Sequence, residues 1–242
     1  MLELTKTGIS GLDEILNGGL VRNSTTLVSG NPGAGKSILG LQYVYNGVEL
    51  FDESGIFLSF EENERDIREA AESIGFENWQ QHVDSGDIRI YDKRVLLGEN
   101  GFNSSLELML DDLDNEQYER LVLDSLTMFQ LFFENEREKR TYLLKFIDIL
   151  GENNLTSLMT NEQGTVFPDT DIGLENFLTD GNILLLQTPT DAGVNRYVWV
   201  AKMRKKNIDS DIFPMEILEG QGITVHDNAS AFSMMGEDGP PL

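Results

Sequence analysis

Apolar residues along this 242-residue chain fall into short unbroken runs separated by longer mixed stretches. Ile56-Phe57-Leu58-Ser59-Phe60, Leu121-Val122-Leu123 and Ile183-Leu184-Leu185-Leu186 are such runs, and Thr25-Thr26-Leu27-Val28-Ser29 reads as a short β-branched strand. Segments this short, without polar alternation, predict strands buried on both faces in a mostly parallel sheet. Strands are expected over 25–29, 55–60, 87–91, 120–124, 155–160, 182–187, 196–203 and 215–218, and helices over 36–50, 62–74, 103–114 and 136–150. In the lead, residues 1–24, Ser10 is placed to cap a short helix over Gly11–Leu16. Asp13 and Glu14 lie in its first turn and Gly18-Gly19 stops it. Strands and helices alternate to about residue 160 and strands then follow one another. That order predicts the α/β class, with a mostly parallel central sheet flanked by helices and antiparallel C-terminal strands. There is no internal repeat and no Pro/Gly/Ser linker, so 1–226 is expected to be one domain. Residues 227–242, with Gly236, Gly239, Pro240 and Pro241, are expected to be a flexible tail.

The chemistry is concentrated where runs end. Gly30-Asn31-Pro32-Gly33-Ala34-Gly35-Lys36-Ser37 fits G-x-x-x-x-G-K-[ST] and stands between a predicted strand and a predicted helix. Glycines let backbone N–H groups turn inward around phosphates, and the helix N-terminus adds its dipole. Lys36 would reach the β- and γ-phosphates and the Ser37 hydroxyl would ligate Mg²⁺. A phosphate loop also needs an acid on a neighbouring strand to hold the metal shell, and Asp124 closes the run Leu121-Val122-Leu123. Asp124 is assigned to Mg²⁺, through water. Glu61-Glu62 follows the run ending at Phe60, where a carboxylate would orient and deprotonate the attacking water, and position alone does not choose between the two. Thr160 or Asn161, at the end of another run, would sense the γ-phosphate or simply turn the strand into a loop.

Lys202, Arg204, Lys205 and Lys206 place four of the 18 basic residues within five positions. Lys202 and Arg204 alternate and so share a strand face. They suit the nucleotide of a neighbouring subunit, in the manner of an arginine finger; the alternative is a basic edge strand that resists aggregation. His82 and His226 are too far apart for a metal pair, and Tyr43 and Tyr45 read as packing residues.

Composition narrows the setting. There are no cysteines, which excludes disulfides and thiolate metal sites. The start lacks the basic and apolar regions of a signal peptide, and no stretch reaches the roughly 18 apolar residues that a spanning helix needs. A cytoplasmic protein is expected. Against 18 Lys and Arg stand 42 Asp and Glu, a net charge of −24 spread along the chain. Self-repulsion on that scale is relieved by salt, so a cytoplasm with molar salt, as in a halophile, is expected. The same charge argues against nucleic acid and anionic membranes as partners.

The lead Thr7-Gly8-Ile9-Ser10-Gly11-Leu12-Asp13-Glu14-Ile15-Leu16-Asn17-Gly18-Gly19-Leu20 resembles that of KaiC-type and RadA-type ATPases of the RecA superfamily. The phosphate loop, Ser59-Phe60-Glu61-Glu62-Asn63, Leu123-Asp124-Ser125-Leu126 and Lys202-Met203-Arg204 resemble KaiC domains in the same order. The likeness covers about residues 5–225 and, with the acidity, is that of a single-domain KaiC-like ATPase of a halophilic archaeon. It implies a RecA-like P-loop NTPase fold, ATP and Mg²⁺ as cofactors, and ring hexamers with nucleotide between subunits. It also implies a catalytic role for Glu61 and Glu62 and contacts from Lys202 and Arg204 to the neighbour's nucleotide. The family's Lys-x-Arg is followed by Gly, Ser or Thr, and then His. Lys205, Lys206, Asn207 and Ile208 stand here instead, which implies altered contacts across the interface. The clock protein's autophosphorylated pair would fall near Glu175-Asn176, which cannot take phosphate.

Three functions compete: an ATP-hydrolysing regulatory switch with a protein partner, a RadA-like DNA recombination or repair ATPase, and a non-hydrolysing nucleotide-binding scaffold of the archaellum-motor type. No Lys or Arg occurs from Phe146 to Asn195, where recombinases hold DNA, and phosphate neutralisation drives DNA affinity. The regulatory ATPase is therefore preferred over the recombinase. Intact Lys36, Ser37, Asp124 and the glutamates favour it over the scaffold.

Overall fold

The computed structural model describes residues 2–96, 117–163, 165–166, 169–170, 173–190 and 193–229. The helix expected over 103–114 and residues 230–242 of the expected tail lie outside them. In chain order the elements are β1 (Leu4–Thr5), α1 (Leu12–Ile15), β2 (Leu20–Val21), β3 (Thr25–Gly30), α2 (Lys36–Phe51), β4 (Gly55–Ser59), α3 (Glu64–Ser73), α4 (Trp79–Ser85), β5 (Ile88–Tyr91), α5 (Lys93–Leu96), β6 (Arg120–Asp124), α6 (Leu126–Gln130), α7 (Glu136–Glu152), β7 (Thr156–Glu162), β8 (Thr165–Val166), β9 (Asp169–Thr170), α8 (Leu174–Leu178), β10 (Gly181–Thr190), β11 (Gly193–Met203), β12 (Ile212–Leu218) and β13 (Gly222–Val225).

Nine strands form one sheet in the order β13-β12-β11-β10-β3-β7-β6-β4-β5. The six from β10 to β5 run parallel, and β11, β12 and β13 extend the sheet antiparallel. The apolar runs occupy its middle. Every residue of β3, β4 and β6 is buried, because both faces are covered. One apolar layer joins the sheet to the lead, α2, α3 and α4 through residues such as Val28, Tyr43, Phe57 and Trp79. The other joins it to α6 and α7 through Leu27, Leu123, Phe129 and Phe146. Helix α7 earns its place by spacing: Leu143, Phe146 and Leu150 are its buried residues, at i, i+3 and i+7.

The fold class matches expectation, with local differences. Ser10 does not cap the first helix. Gly11 does, in a left-handed conformation (φ 76°) with no side-chain cap bond. A Cβ at Gly11 would lie 1.9 Å from the Val225 carbonyl oxygen, so the lead can pack on β13 only with glycine there. Asp13 supplies the polar closure, accepting from Thr7 N (2.7 Å), Thr7 Oγ1 (2.8 Å) and Gly8 N (3.0 Å). The helix expected from residue 62 begins at Glu64, because the Asn63 side chain caps it by accepting from Asp66 N. Glu61 and Glu62 therefore stand in the turn between β4 and α3. Helix α4 was not expected: Trp79 is its one buried residue, too little for a periodic signal. Among the described residues no helix is long and apolar enough to cross a membrane.

Candidate active site

Parallel strands bring their C-terminal ends to one edge, and the site is built there. Gly30 is level with Glu162 of β7, and Ser59 of β4 with Asp124 of β6. After Gly30 the chain turns through Gly33 (φ 78°) and Gly35 (φ 105°) into α2, whose first residue is Lys36. Gly35 makes no side-chain cap, so the first-turn N–H groups of α2 have no partner from it. Lys36 is buried, and its Nζ donates to the carbonyls of Gly30 (3.0 Å) and Asn31 (3.1 Å). The loop is thus wound around its own ammonium group. Burial lowers the Lys36 pKa, opposed by the carboxylates of Glu162, Asp124 and Glu61.

A cleft of about 270 Å³ opens over the loop, lined by Pro32, Gly33, Gly35, Lys36, Ser37, Ile38, Glu61, Asp124, Ser125 and Glu162. Three carboxylates thus face one ammonium. Gly30, Asn31 and Ala34 are not among the lining; Gly30 and Asn31 hold the lysine, and Ala34 is fully buried. Asp124 is 5% exposed. Burial pushes its carboxyl up, against hydrogen bonds from Thr160 and Ser37. A buried carboxylate hydrogen-bonded to a serine hydroxyl is a hard-oxygen pair of the kind Mg²⁺ takes, with waters completing its shell. The residues present fit the cofactor expected from sequence.

The two glutamates are placed differently. Glu61 reaches the cleft, where its Oε1 accepts from Ser125 Oγ at 2.6 Å. Glu62 does not line the cleft. It is partly buried, and desolvation, with Asp124, Asp66 and Glu61 nearby, raises its carboxyl above the usual range. Its backbone is fixed by Glu62 N donating to Ser59 Oγ (3.0 Å). Lys93 ties the turn from outside, donating from Nζ to the Glu61 carbonyl at 2.8 Å.

Behind Asp124 lies a hydrogen-bonded row. Thr160 donates to Asp124. Asn161 accepts from Thr127 Oγ1 (3.1 Å) and donates to Glu175 (3.1 Å), while Glu162 N donates to Thr127 Oγ1 (2.9 Å). Lys202 and Arg204 are not brought to this cleft. Lys202 is level with Asn182 near the start of β10, whereas the phosphate loop leaves β3 level with Leu185. Lys202 Nζ donates to the carbonyls of Asn176 (2.9 Å) and Thr179 (2.6 Å), and Arg204 to that of Phe177 (2.9 Å). Tyr43 and Tyr45 pack internally, Tyr45 stacking on Phe76 at 4.4 Å. Each histidine faces a carboxylate, His82 with Glu49 and His226 with Glu216, and no metal-holding cluster occurs among the described residues. Glu162, Ser125, Thr127 and Glu175 had no assigned role. Ser125 carried a readable signal, since it directly follows Asp124 and its side chain caps α6.

Sheet, glycine loop, lysine and strand-end acids together define a nucleotide-binding protein of the RecA-like α/β class. The family profile described as "ATPase: KaiC" matches residues 5–230, and the chain belongs to that family. It is 30% identical over 224 residues to the circadian clock oscillator protein KaiC of Thermostichus vulcanus, covering 90% of this chain and 43% of that protein. With the KaiC of Prochlorococcus marinus subsp. pastoris the identity is 30% over 240 residues, covering 96% and 43%. The chain thus spans under half the length of these relatives. The crystal structure of a KaiC-like protein from the hyperthermophilic archaeon Pyrococcus horikoshii OT3 superposes with a TM-score of 0.81 at 31% identity, covering 93% of this chain and all of that one.

Proposed function

We propose that the protein is a Mg²⁺-dependent ATP-hydrolysing switch that works as a ring hexamer in the cytoplasm and signals to a protein partner. The observation that carries this is the convergence of Lys36, Asp124 and Glu61 on one cleft over the phosphate loop. Lys36 and the loop N–H groups take the triphosphate, and the buried ammonium already lies against the loop carbonyls that phosphate oxygens would replace. Ser37 and Asp124 would hold Mg²⁺, which when bound neutralises developing phosphate charge. Glu61 is aimed by Ser125, and Glu62 is desolvated enough to be a stronger base than a free carboxylate; between them they orient and deprotonate the attacking water. Lys202 and Arg204, remote from their own cleft, complete the site of the adjoining subunit.

Lys36→Ala tests the reading. It should remove ATP binding, measured by calorimetry in molar KCl, with circular dichroism showing that the nucleotide-free variant is still folded. Retained tight binding would refute the phosphate-cradle assignment. Light scattering with Mg-ATP in the same salt should report a hexamer; a monomer throughout would remove the adjoining site from Lys202 and Arg204. The net charge of −24 supports a salt-rich cytoplasm, and the melting temperature should climb as KCl is raised from millimolar to molar.

A further inference from the structure

Helix α8 lies between two groups that the proposed mechanism uses separately. On one side it meets the phosphate edge of its own subunit: Asn161, level with Ser29 just before the phosphate loop, donates to Glu175 Oε1 at 3.1 Å. Asn161 in turn accepts from Thr127, whose hydroxyl also accepts from the backbone N of the cleft residue Glu162. On the other side, the carbonyls at the end of α8 hold Lys202 and Arg204. Cations at a helix C-terminus are favourably placed, so the basic pair is parked there. To reach a neighbour's phosphates it must leave those carbonyls, and the ease of leaving depends on where α8 sits. The Glu175 side chain ties α8 to the nucleotide edge through Asn161.

We propose that Glu175 is a positioning residue: through Asn161 on one side and the carbonyls of α8 on the other, it couples the nucleotide state of its own cleft to the release of Lys202 and Arg204 toward the next subunit. The coupling rests on the inter-subunit role proposed above for that pair. It predicts cooperativity between successive sites of the ring, of about 5-fold or more in affinity.

The variant that isolates the link is Glu175→Ala. The end of α8 keeps its own ties without that side chain: Thr179 N and Oγ1 both donate to the Glu175 backbone carbonyl, and Asn182 Nδ2 donates to the Asn176 carbonyl. Equilibrium binding of a slowly hydrolysed ATP analogue to the full chain at high salt should be cooperative in the native protein and non-cooperative in Glu175→Ala. Glu175→Gln, which keeps an acceptor oxygen for Asn161 Nδ2, should restore cooperativity. Non-cooperative binding by the native protein, unchanged cooperativity in Glu175→Ala, or failure of Glu175→Gln to restore it overturns the proposal. Arg204→Ala separates the premise from the inference. Undiminished hydrolysis in that variant removes the inter-subunit role itself, whereas lost hydrolysis with cooperativity intact in Glu175→Ala removes the coupling alone.

Discussion

Strand β6 is five residues long and carries a buried charge at each end. At its start Arg120 is fully buried, and each of its three guanidinium nitrogens has a hydrogen-bond partner. It donates to Glu53 Oε2 from Nε (2.9 Å) and Nη2 (2.6 Å), to the carbonyls of Tyr43 and Lys6 (2.8 Å each), and lies over the Tyr43 ring at 4.6 Å. Glu53 also accepts from Arg22 at 2.5 Å. At the far end Asp124 is almost as deeply buried, but its hydrogen bonds come from the hydroxyls of Thr160 and Ser37 and two other carboxylates line the same cleft. Glu61 and Glu162 share its cleft, Lys36 is the one cation lining that cleft, and burial pushes its carboxyl up. The same strand therefore ends in two opposite electrostatic designs. A buried charge paired with a carboxylate and hydrogen-bonded at every nitrogen fixes the scaffold, here clamping the lead, α2 and β6 together. A buried acid with its like charges uncompensated is costly unless something cationic binds, and perturbed groups of this kind gather at functional sites.

The largest effect should come from breaking the matched end. Arg120→Met takes one of two cationic partners from Glu53, which keeps Arg22, and leaves the carbonyls of Tyr43 and Lys6 without their donor. Removing one partner of a buried pair costs about 3–5 kcal/mol, and the surviving Arg22 contact argues for the low end. Chemical denaturation should show that loss, with a fall in the denaturation midpoint. A loss under about 1 kcal/mol would place Arg120 among pairs that contribute little. Next is the basic pair. Arg204→Ala should lower hydrolysis in the assembled ring by far more than it weakens ATP binding; arginine fingers contribute about 10³–10⁵-fold in rate, and the altered residues after Arg204 argue for the low end here. The smallest effect should be at Glu62. Its folded pKa lies above its ordinary value of 4.5, so its ionisation works against folding: the stability it contributes is full below the unfolded pKa and is lost as pH rises through the folded pKa. Glu62→Gln should therefore melt at or slightly above the native protein at neutral pH, and the two should converge as pH falls toward 4.5. A lower melting temperature for Glu62→Gln at neutral pH would mean that the carboxylate is stabilised, as at the matched end of β6.

How much of this the sequence disclosed follows from how far apart the partners lie. The phosphate loop is contiguous, so Lys36 and Ser37 could be read directly, and Asp124, Glu61 and Glu62 could be placed because unbroken apolar runs end at them. What could not be read is pairing over distance. Ser125 holds Glu61 across 64 positions, Arg120 meets Glu53 across 67, and Thr127 meets Asn161 across 34. No local pattern encodes such pairs; the strand order, with β6 set between β7 and β4, creates them. Gly11 was missed for a related reason. Its need for a left-handed turn arises from Val225, at the other end of the chain. The placement of Lys202 and Arg204 was only half legible. Alternation predicted a shared face, but not that both side chains would rest on the carbonyls of α8.

The central claim is that the uncompensated end of β6 belongs to an ATP-hydrolysing site. Turnover of saturating Mg-ATP by the double variant Glu61→Gln with Glu62→Gln tests it most directly, with bound nucleotide measured in the same samples. Loss of the catalytic base predicts ATP retained in the cleft and turnover lowered by about 10²–10⁴-fold. Unchanged turnover with ATP bound would contradict the claim and move the base to another residue.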